Sequence, residues 1–533
     1  MSTASSDLPL APTLMLQGTA SSVGKSLLVA ALCRIYARRG VSVAPFKSQN
    51  MALNADVTPD GLEIGRAQSL QARAARLLPR VEMNPILLKP EADACAQVVV
   101  MGRARGRASA RAYHEEKMEL RGIVEGALTR LRREHDLVII EGAGSPAEIN
   151  LRDRDLVNMF VAHLANASVL LVGDIDRGGV FAHLLGTLEL LDAKDRRRVD
   201  GLLVNKFRGD VSLLTDGLVE LEAHTGCPVR GVIPYVPTLR LPDEDSHSQS
   251  QRVQTRRAGT DEIEIAVIPL PYASNLDDFD PLGWESGVLV REAQHPTELE
   301  DADLVVLPGS KSTLRDLDWL HMEGYAEAIS RLARRGKAIL GVCGGCQMLG
   351  RRIVDEYGIE SPVGGFAEGL GLLPIETRFM SPKRTLRVEL RGRGTDALLG
   401  DLPRGRGYWI HAGRVRLCPD SGARAPLEAR PLAPGATTSE GQAVAWSADG
   451  AAISCVPGLA PHVVGTMVHG LFDDPLARKA LLDALARRRG GKGHEGTPVP
   501  GVDEELDRLA DAVEESVDLE AIEADVFRRA AER

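Results

Sequence analysis

Up to residue 241 the chain alternates between two textures. Short apolar runs (TLMLQG, VSVAPF, DLVIIEG, SVLLVGDI, VDGLLVNKF, PVRGVIP) are separated by stretches such as KSLLVAALCRIYARRG, with apolar positions at helical spacing. The runs are nearly continuous rather than alternating apolar with polar, as in strands covered on both faces. They predict a parallel sheet wound by helices on either side. From about residue 263 the same grammar returns in IEIAVIPL, DLVVLPGS, KAILGVCGG and VVGTMVHG, predicting a second domain of the same class. The expected fold is therefore α/β with two doubly wound domains. Between them, residues 242–262 hold almost no large apolar group and read as a linker. A glycine-rich run over 490–501 precedes an acidic segment with helical apolar spacing, which predicts one or two terminal helices. The expected division is 1–241, a linker at 242–262, 263–489, and a flexible run with helical tail at 490–533.

Composition narrows the function classes. A chain of 533 residues that is 44% hydrophobic and 26% charged can bury more than one core. A net charge of −10 argues against nucleic acid or an anionic membrane as partner. No apolar run approaches the length needed to cross a bilayer, so no membrane insertion is expected. The first twenty residues lack Lys and Arg, unlike the start of a secretory signal. Seven scattered Cys, an odd number, do not form a disulfide framework. The expectation is a cytoplasmic multidomain protein, with its oligomeric state left open.

The first candidate chemistry is a phosphate site. The strand TLMLQ runs into Gly18, five residues, then Gly24-Lys25-Ser26 and a helix. Small residues let backbone N–H groups of this loop, Thr19 among them, converge on phosphate oxygens, and the helix N-terminus adds positive potential. Lys25 is placed for the β- and γ-phosphates and Ser26 for Mg²⁺. The spacing is one residue longer than the usual P-loop, and an ordinary glycine-rich turn is the competing reading. Glu141, at the end of DLVIIEG, is a second Mg²⁺ candidate, because open α/β sheets bind ligands at the carboxyl ends of their strands. Lys47 and Asn205 end two other runs and are candidates for phosphate and nucleotide base; a solvent-facing loop is the alternative for Lys47.

The second is a cysteine site. In KAILGVCGGCQMLG a short strand ends at Cys343, and Gly344-Gly345 open a helix. Such a sharp turn thrusts the nucleophile outward over the next helix. The helix N-terminus favours the thiolate, and the Gly344 N–H is placed to bind an oxyanion. Gly309, in LPGSKST, is the candidate second donor. Cys346 completes a CxxC, whose redox or zinc reading lacks further ligands at suitable spacing. A thiol nucleophile needs a base, and His469 follows an apolar run and precedes Gly470. His411 competes with it, or lines the substrate pocket instead.

The combination resembles the cobyric acid synthase family, glutamine-dependent amidotransferases of cobalamin biosynthesis. The resemblance covers nearly the whole chain through LQGTASSVGKSLLVAALCR, PFKSQNMALN, DGLEIGRAQ, MNPILLKPE, EGAGSPAEINLRDRD, GDIDRGGVFAHLLGTL, VNKFRGD, LPDEDS, LPGSKST and GVCGGCQMLG. It implies an N-terminal domain like dethiobiotin synthetase, which shares the lengthened P-loop. It also implies a class I glutamine amidotransferase-like domain with Cys343 as nucleophile and His469 as base. ATP as substrate, Mg²⁺, glutamine and a corrinoid follow from it, with no tightly bound organic cofactor. The implied reaction amidates four carboxylates of adenosylcobyrinic acid a,c-diamide. Gln49, Asn50, Asp176 and Arg177 lie in family-specific segments and are candidates for substrate contact, with loop scaffolding as the rival reading. Many class I enzymes carry Glu two residues after the catalytic His; here that residue is Leu471, leaving Asp473, Asp474 or a simple dyad. Competing functions are the sister synthase of the a,c-diamide and, in another class, a P-loop switch with a non-catalytic amidotransferase-like module.

Overall fold

The computed structural model describes residues 10–92, 95–109, 117–242, 259, 262–361, 364–393, 398–418, 427–432, 462–496 and 499–532. Nearly all of the expected linker at 242–262 lies outside them. The chain divides into two compact units, one of Met1–Met51, Ile64–Pro242 and Pro500–Arg533, the other of Ala52–Glu63 and Asp243–Val499.

In the first unit all six apolar runs form one parallel sheet. Its order is Val229–Pro234, Val199–Phe207, Ser168–Asp174, Thr13–Gly18, Leu137–Glu141, Val43–Phe46. Residues of Thr13–Gly18, Leu137–Glu141 and Ser168–Asp174 are buried without exception, which is why their sequences show no alternation. From Thr13–Gly18 the chain first builds one side of the sheet and then the other, so the winding reverses at this strand. Gly18, Phe46, Glu141, Asp174 and Asn205 all lie at carboxyl ends around that reversal, where such sheets bind ligands. A second sheet of Gln49–Met51, Ile86–Ala92, Cys95–Val100 and Arg103–Ser109, not foreseen from the sequence, adds to this unit.

The C-terminal segment forms two helices, Val502–Glu514 and Leu519–Ala531, and both belong to the first unit. Leu506, Leu509, Val513, Ile522 and Val526 are buried in one cluster with Leu28, Leu32 and Ile35 of the helix Lys25–Arg38. Polar contacts flank that seam. Arg34 makes a forked pair with Asp507 at 2.8 and 2.9 Å, and Arg38 reaches Asp511 and Glu514. The acidity of the tail therefore answers the arginines of the helix that follows the P-loop.

The second unit is built on the parallel sheet Val288–Glu292, Ile263–Val267, Leu304–Leu307, Ala338–Val342, Val463–Thr466. A further sheet, with two long antiparallel strands, Ile375–Gly392 and Gly405–Leu417, shares its hydrophobic cluster. Among the described residues no helix is long and apolar enough to cross a membrane.

Candidate functional site

The phosphate loop is shaped by its own backbone. Gly24 has φ 101°, and a Cβ there would sit 2.3 Å from Asn205 Nδ2, so conformation and space both demand glycine. No side chain caps the helix Lys25–Arg38, and its first turn holds no acidic residue, which leaves an N-terminus suited to an anion. Lys25 Nζ donates to the carbonyls of Ala20 (3.0 Å) and Gly144 (3.3 Å) and so lies across the loop. Asn205 Nδ2 donates to the Val23 carbonyl at 2.8 Å, so here it braces the loop from the neighbouring strand. Lys206, which the sequence reading passed over, donates to the Ser22 carbonyl and to Asp174 Oδ2, both at 2.8 Å.

Glu141 is the hub of the site. It is fully buried, and its Oε1 accepts from Ser26 Oγ and from Lys47 Nζ, each at 2.8 Å. Its Oε2 accepts from Gln71 Nε2 at 2.6 Å. Lys47 is buried as well, not a solvent-facing loop residue. A buried carboxylate is tolerated because the Lys47 cation and the neutral donors Ser26, Gln71 and Gln68 satisfy it.

At the cysteine site the strand Ala338–Val342 meets the helix Gly344–Leu349 through Cys343, whose φ of 48° and ψ of −106° are unusual for a residue with a side chain. The turn is held by Cys343 N donating to the Thr466 carbonyl at 2.7 Å and by Gly345 N donating to the Pro308 carbonyl at 3.0 Å. It brings the Cys343 thiol close enough to the His469 ring to favour the charged imidazole. His469 Nδ1 lies 2.6 Å from Asp278 Oδ2, and Gly470 N donates to Asp278 Oδ1 at 2.8 Å. Burial opposes charge on His469, yet Asp278 and Cys343 together outweigh it and hold the imidazole well above its usual range. Gly309 stands beside this ring, since a Cβ there would lie 3.0 Å from His469 Cε1. Gly344 packs as tightly on Ser310.

Two family models divide the chain between them. Residues 14–248 match the CobQ/CobB/MinD/ParA nucleotide binding domain, and residues 264–477 match the CobB/CobQ-like glutamine amidotransferase domain. A cobyric acid synthase of Sorangium cellulosum is 52% identical over 519 residues, covering 95% of this chain and 97% of that one. Those of Desulforudis audaxviator and Moorella thermoacetica are 48% and 47% identical, each over 96% of this chain. The chain belongs to the cobyric acid synthase family. It is thus a ligase with a nucleotide-binding domain and a glutamine amidotransferase domain.

Against this family background the remaining candidates fall into place. Cys346 is buried, and its sulfur packs on Gly465. Among the described residues no group of three or more His, Cys, Asp or Glu is placed to hold a metal ion. His411 Nδ1 bonds the Gly413 carbonyl at 2.7 Å, and burial pushes its pKa down to about 3, leaving it neutral. Asp474 caps the helix Pro475–Arg488 through Leu476 N. Asn50 is buried and donates to Gln68 Oε1 at 3.0 Å, while Gln49 is half-buried on the same strand. Asp176 pairs with Arg208 at 3.0 Å, and Arg177 lies 3.7 Å from Asp174. Gln71 and Asp278, both central here, carry no motif that marks them in the sequence; only proximity in the fold finds them.

Proposed function

We propose that the protein amidates four carboxylates of adenosylcobyrinic acid a,c-diamide, using ammonia from glutamine at Cys343 and ATP at the Gly18–Ser26 loop. The observation that carries this reading is the closeness of Cys343, on its strained turn, to the ring of His469, itself held by Asp278, in a chain that also holds a P-loop. The Cys343 thiolate attacks the glutamine carboxamide, with Gly344 and Gly309 beside the developing oxyanion. His469 gives its proton to the departing ammonia and then takes one from the water that cleaves the thioester. At the other site a corrinoid carboxylate attacks the γ-phosphate, while Lys25 and Lys47 offset the charge of the transferring group. Ammonia then displaces phosphate from the acyl phosphate. Relatives alike over nearly their full length favour this reading over the sister synthase, and the paired thiol and imidazole favour it over an ATP-driven switch.

A magnesium ion fits the residues present. Ser26 Oγ and Glu141 Oε1 are hard oxygen donors beside the phosphate loop, and Mg²⁺ commonly needs only one or two protein oxygens besides water and phosphate. When bound there it would neutralise phosphate charge and orient the nucleotide.

The reading is tested with the Cys343→Ser variant. Glutamine-supported amidation should vanish, while ammonia and ATP still give four successive OH-to-NH₂ mass changes in the corrinoid. Failure with ammonia in a folded variant would refute the division of labour between the sites.

A further inference from the structure

The acid that orients His469 does not come from the segment that follows it. Leu471 is buried and apolar, the Asp474 carboxylate is engaged at its helix cap, and the carboxylate on His469 Nδ1 belongs to Asp278 rather than to Asp473. Asp278 lies 191 residues before His469 in the chain and grips it at two points, Oδ2 on the ring nitrogen Nδ1 and Oδ1 on the following N–H of Gly470. An ionised carboxylate only accepts hydrogen bonds. Nδ1 therefore carries the proton, and Nε2 is the nitrogen left to meet the Cys343 thiol.

We infer that Asp278 is the positioning residue of the glutaminase site, holding His469 in the Nδ1-protonated form and stabilising the imidazolium that forms when Cys343 loses its proton. This rests on the assignment of Cys343 and His469 to glutamine hydrolysis. The frame around Asp278 supports it. Its turn begins at Asn275, whose side chain donates to the Ala55 carbonyl and to the Tyr408 hydroxyl, each at 2.9 Å. Asp278 N bonds the Asn275 carbonyl at 3.1 Å. Tyr408 in turn exchanges both backbone hydrogen bonds with His469, at 3.0 and 2.9 Å. Carboxylate and imidazole are thus mounted on one rigid frame, with both groups almost wholly buried.

The titratable groups around His469 make the expected sign clear. Asp278 faces it from the turn Leu276–Phe279 and Cys343 from the strand-to-helix turn. From Gly405–Leu417 it meets the Tyr408 ring, 5.9 Å away, and the neutral His411. Asp278 is the carboxylate in this set and favours the charged imidazole. Its removal lowers the imidazole pKa, so the alkaline limb of glutaminase activity moves to lower pH.

The experiment measures glutamine hydrolysis by the full chain as Asp278→Asn, Asp278→Glu and Cys343→Ala. In Asp278→Asn, kcat is expected to fall about a hundredfold or more, with KM for glutamine within about threefold. The alkaline limb should shift down by about one pH unit or more. Asp278→Glu keeps the charge and should keep the limb in place while losing rate. A purely structural role would lower thermal stability and leave the limb where it is, and that result overturns the inference. So does a folded Asp278→Asn protein with near wild-type kcat. If Asp278→Asn does not fold, Asp278→Glu decides: a lowered kcat at unchanged thermal stability supports the inference, and a near wild-type kcat, or a rate loss that comes only with a loss of thermal stability, overturns it. Glutamine hydrolysis surviving in Cys343→Ala would instead overturn the underlying assignment.

Discussion

The substitution Gly345→Ala adds one methyl group at the tightest contact of the cysteine turn. Built on the present backbone, that Cβ lies 2.0 Å from the Leu307 carbonyl oxygen, 2.6 Å from its carbon and 2.8 Å from the Leu307 Cβ. Ordinary contact begins near 3.4 Å, so helix Gly344–Leu349 and strand Leu304–Leu307 must part by about 1 Å or more. The strand is paired on both sides, with Ile263–Val267 and Ala338–Val342, and yields little. The short helix moves instead and takes Cys343 away from His469. A misplacement of that size costs about a hundredfold in rate, equivalent to about 2.7 kcal/mol of transition-state stabilisation. Overpacking adds a stability loss of about 1–3 kcal/mol. The assay compares glutamine hydrolysis with ammonia-supported amidation in the same preparation, and only the former should fall. Gly126→Ala serves as control, because its Cβ meets nothing within 4 Å on the exposed face of helix Lys117–Glu134. A folded Gly345→Ala protein whose glutaminase stays within about threefold of wild type would refute the reasoning, since the turn would have absorbed the methyl without moving its nucleophile.

Other outcomes follow from the same contacts. Lys47→Met leaves Glu141 buried without its cation, so stability in urea should fall by about 3–5 kcal/mol, and ammonia-supported amidation should drop by about a hundredfold. Leu506→Ala opens a cavity against the helix that follows the P-loop and should lower unfolding stability by about 2–5 kcal/mol, read by urea titration. Burial pushes the Asp316 carboxyl up to about 6, although Ser310 Oγ and Tyr272 N donate to it. Its folded-state pKa thus exceeds its unfolded one, and the stability it contributes is present below about pH 4 and is lost as pH rises through 6. Asp316→Asn should abolish that part of the decline, up to about 3 kcal/mol between pH 4 and 7.5, in urea titrations at the two pH values.

Local information determined a great deal. Continuous apolar runs specify strands wherever they lie in the chain, so each of the ten runs contains a strand of the two parallel sheets, although Val229–Pro234, at a sheet edge, is only half-buried. The Gly24-Lys25-Ser26 loop and the Cys343 turn were equally legible, because each is a strand, a tight turn and a helix within a few residues. Relations between distant segments needed the tertiary structure. NLDDFDPL offers several aspartates and no spacing that selects Asp278, and Gln71 is one polar residue on an ordinary helix. The acidic tail shows its helical period in the sequence, but not that its apolar stripe covers the helix Lys25–Arg38. A hydrogen bond or a buried seam depends on where the chain returns in space, and a local pattern of residue types carries no record of that return.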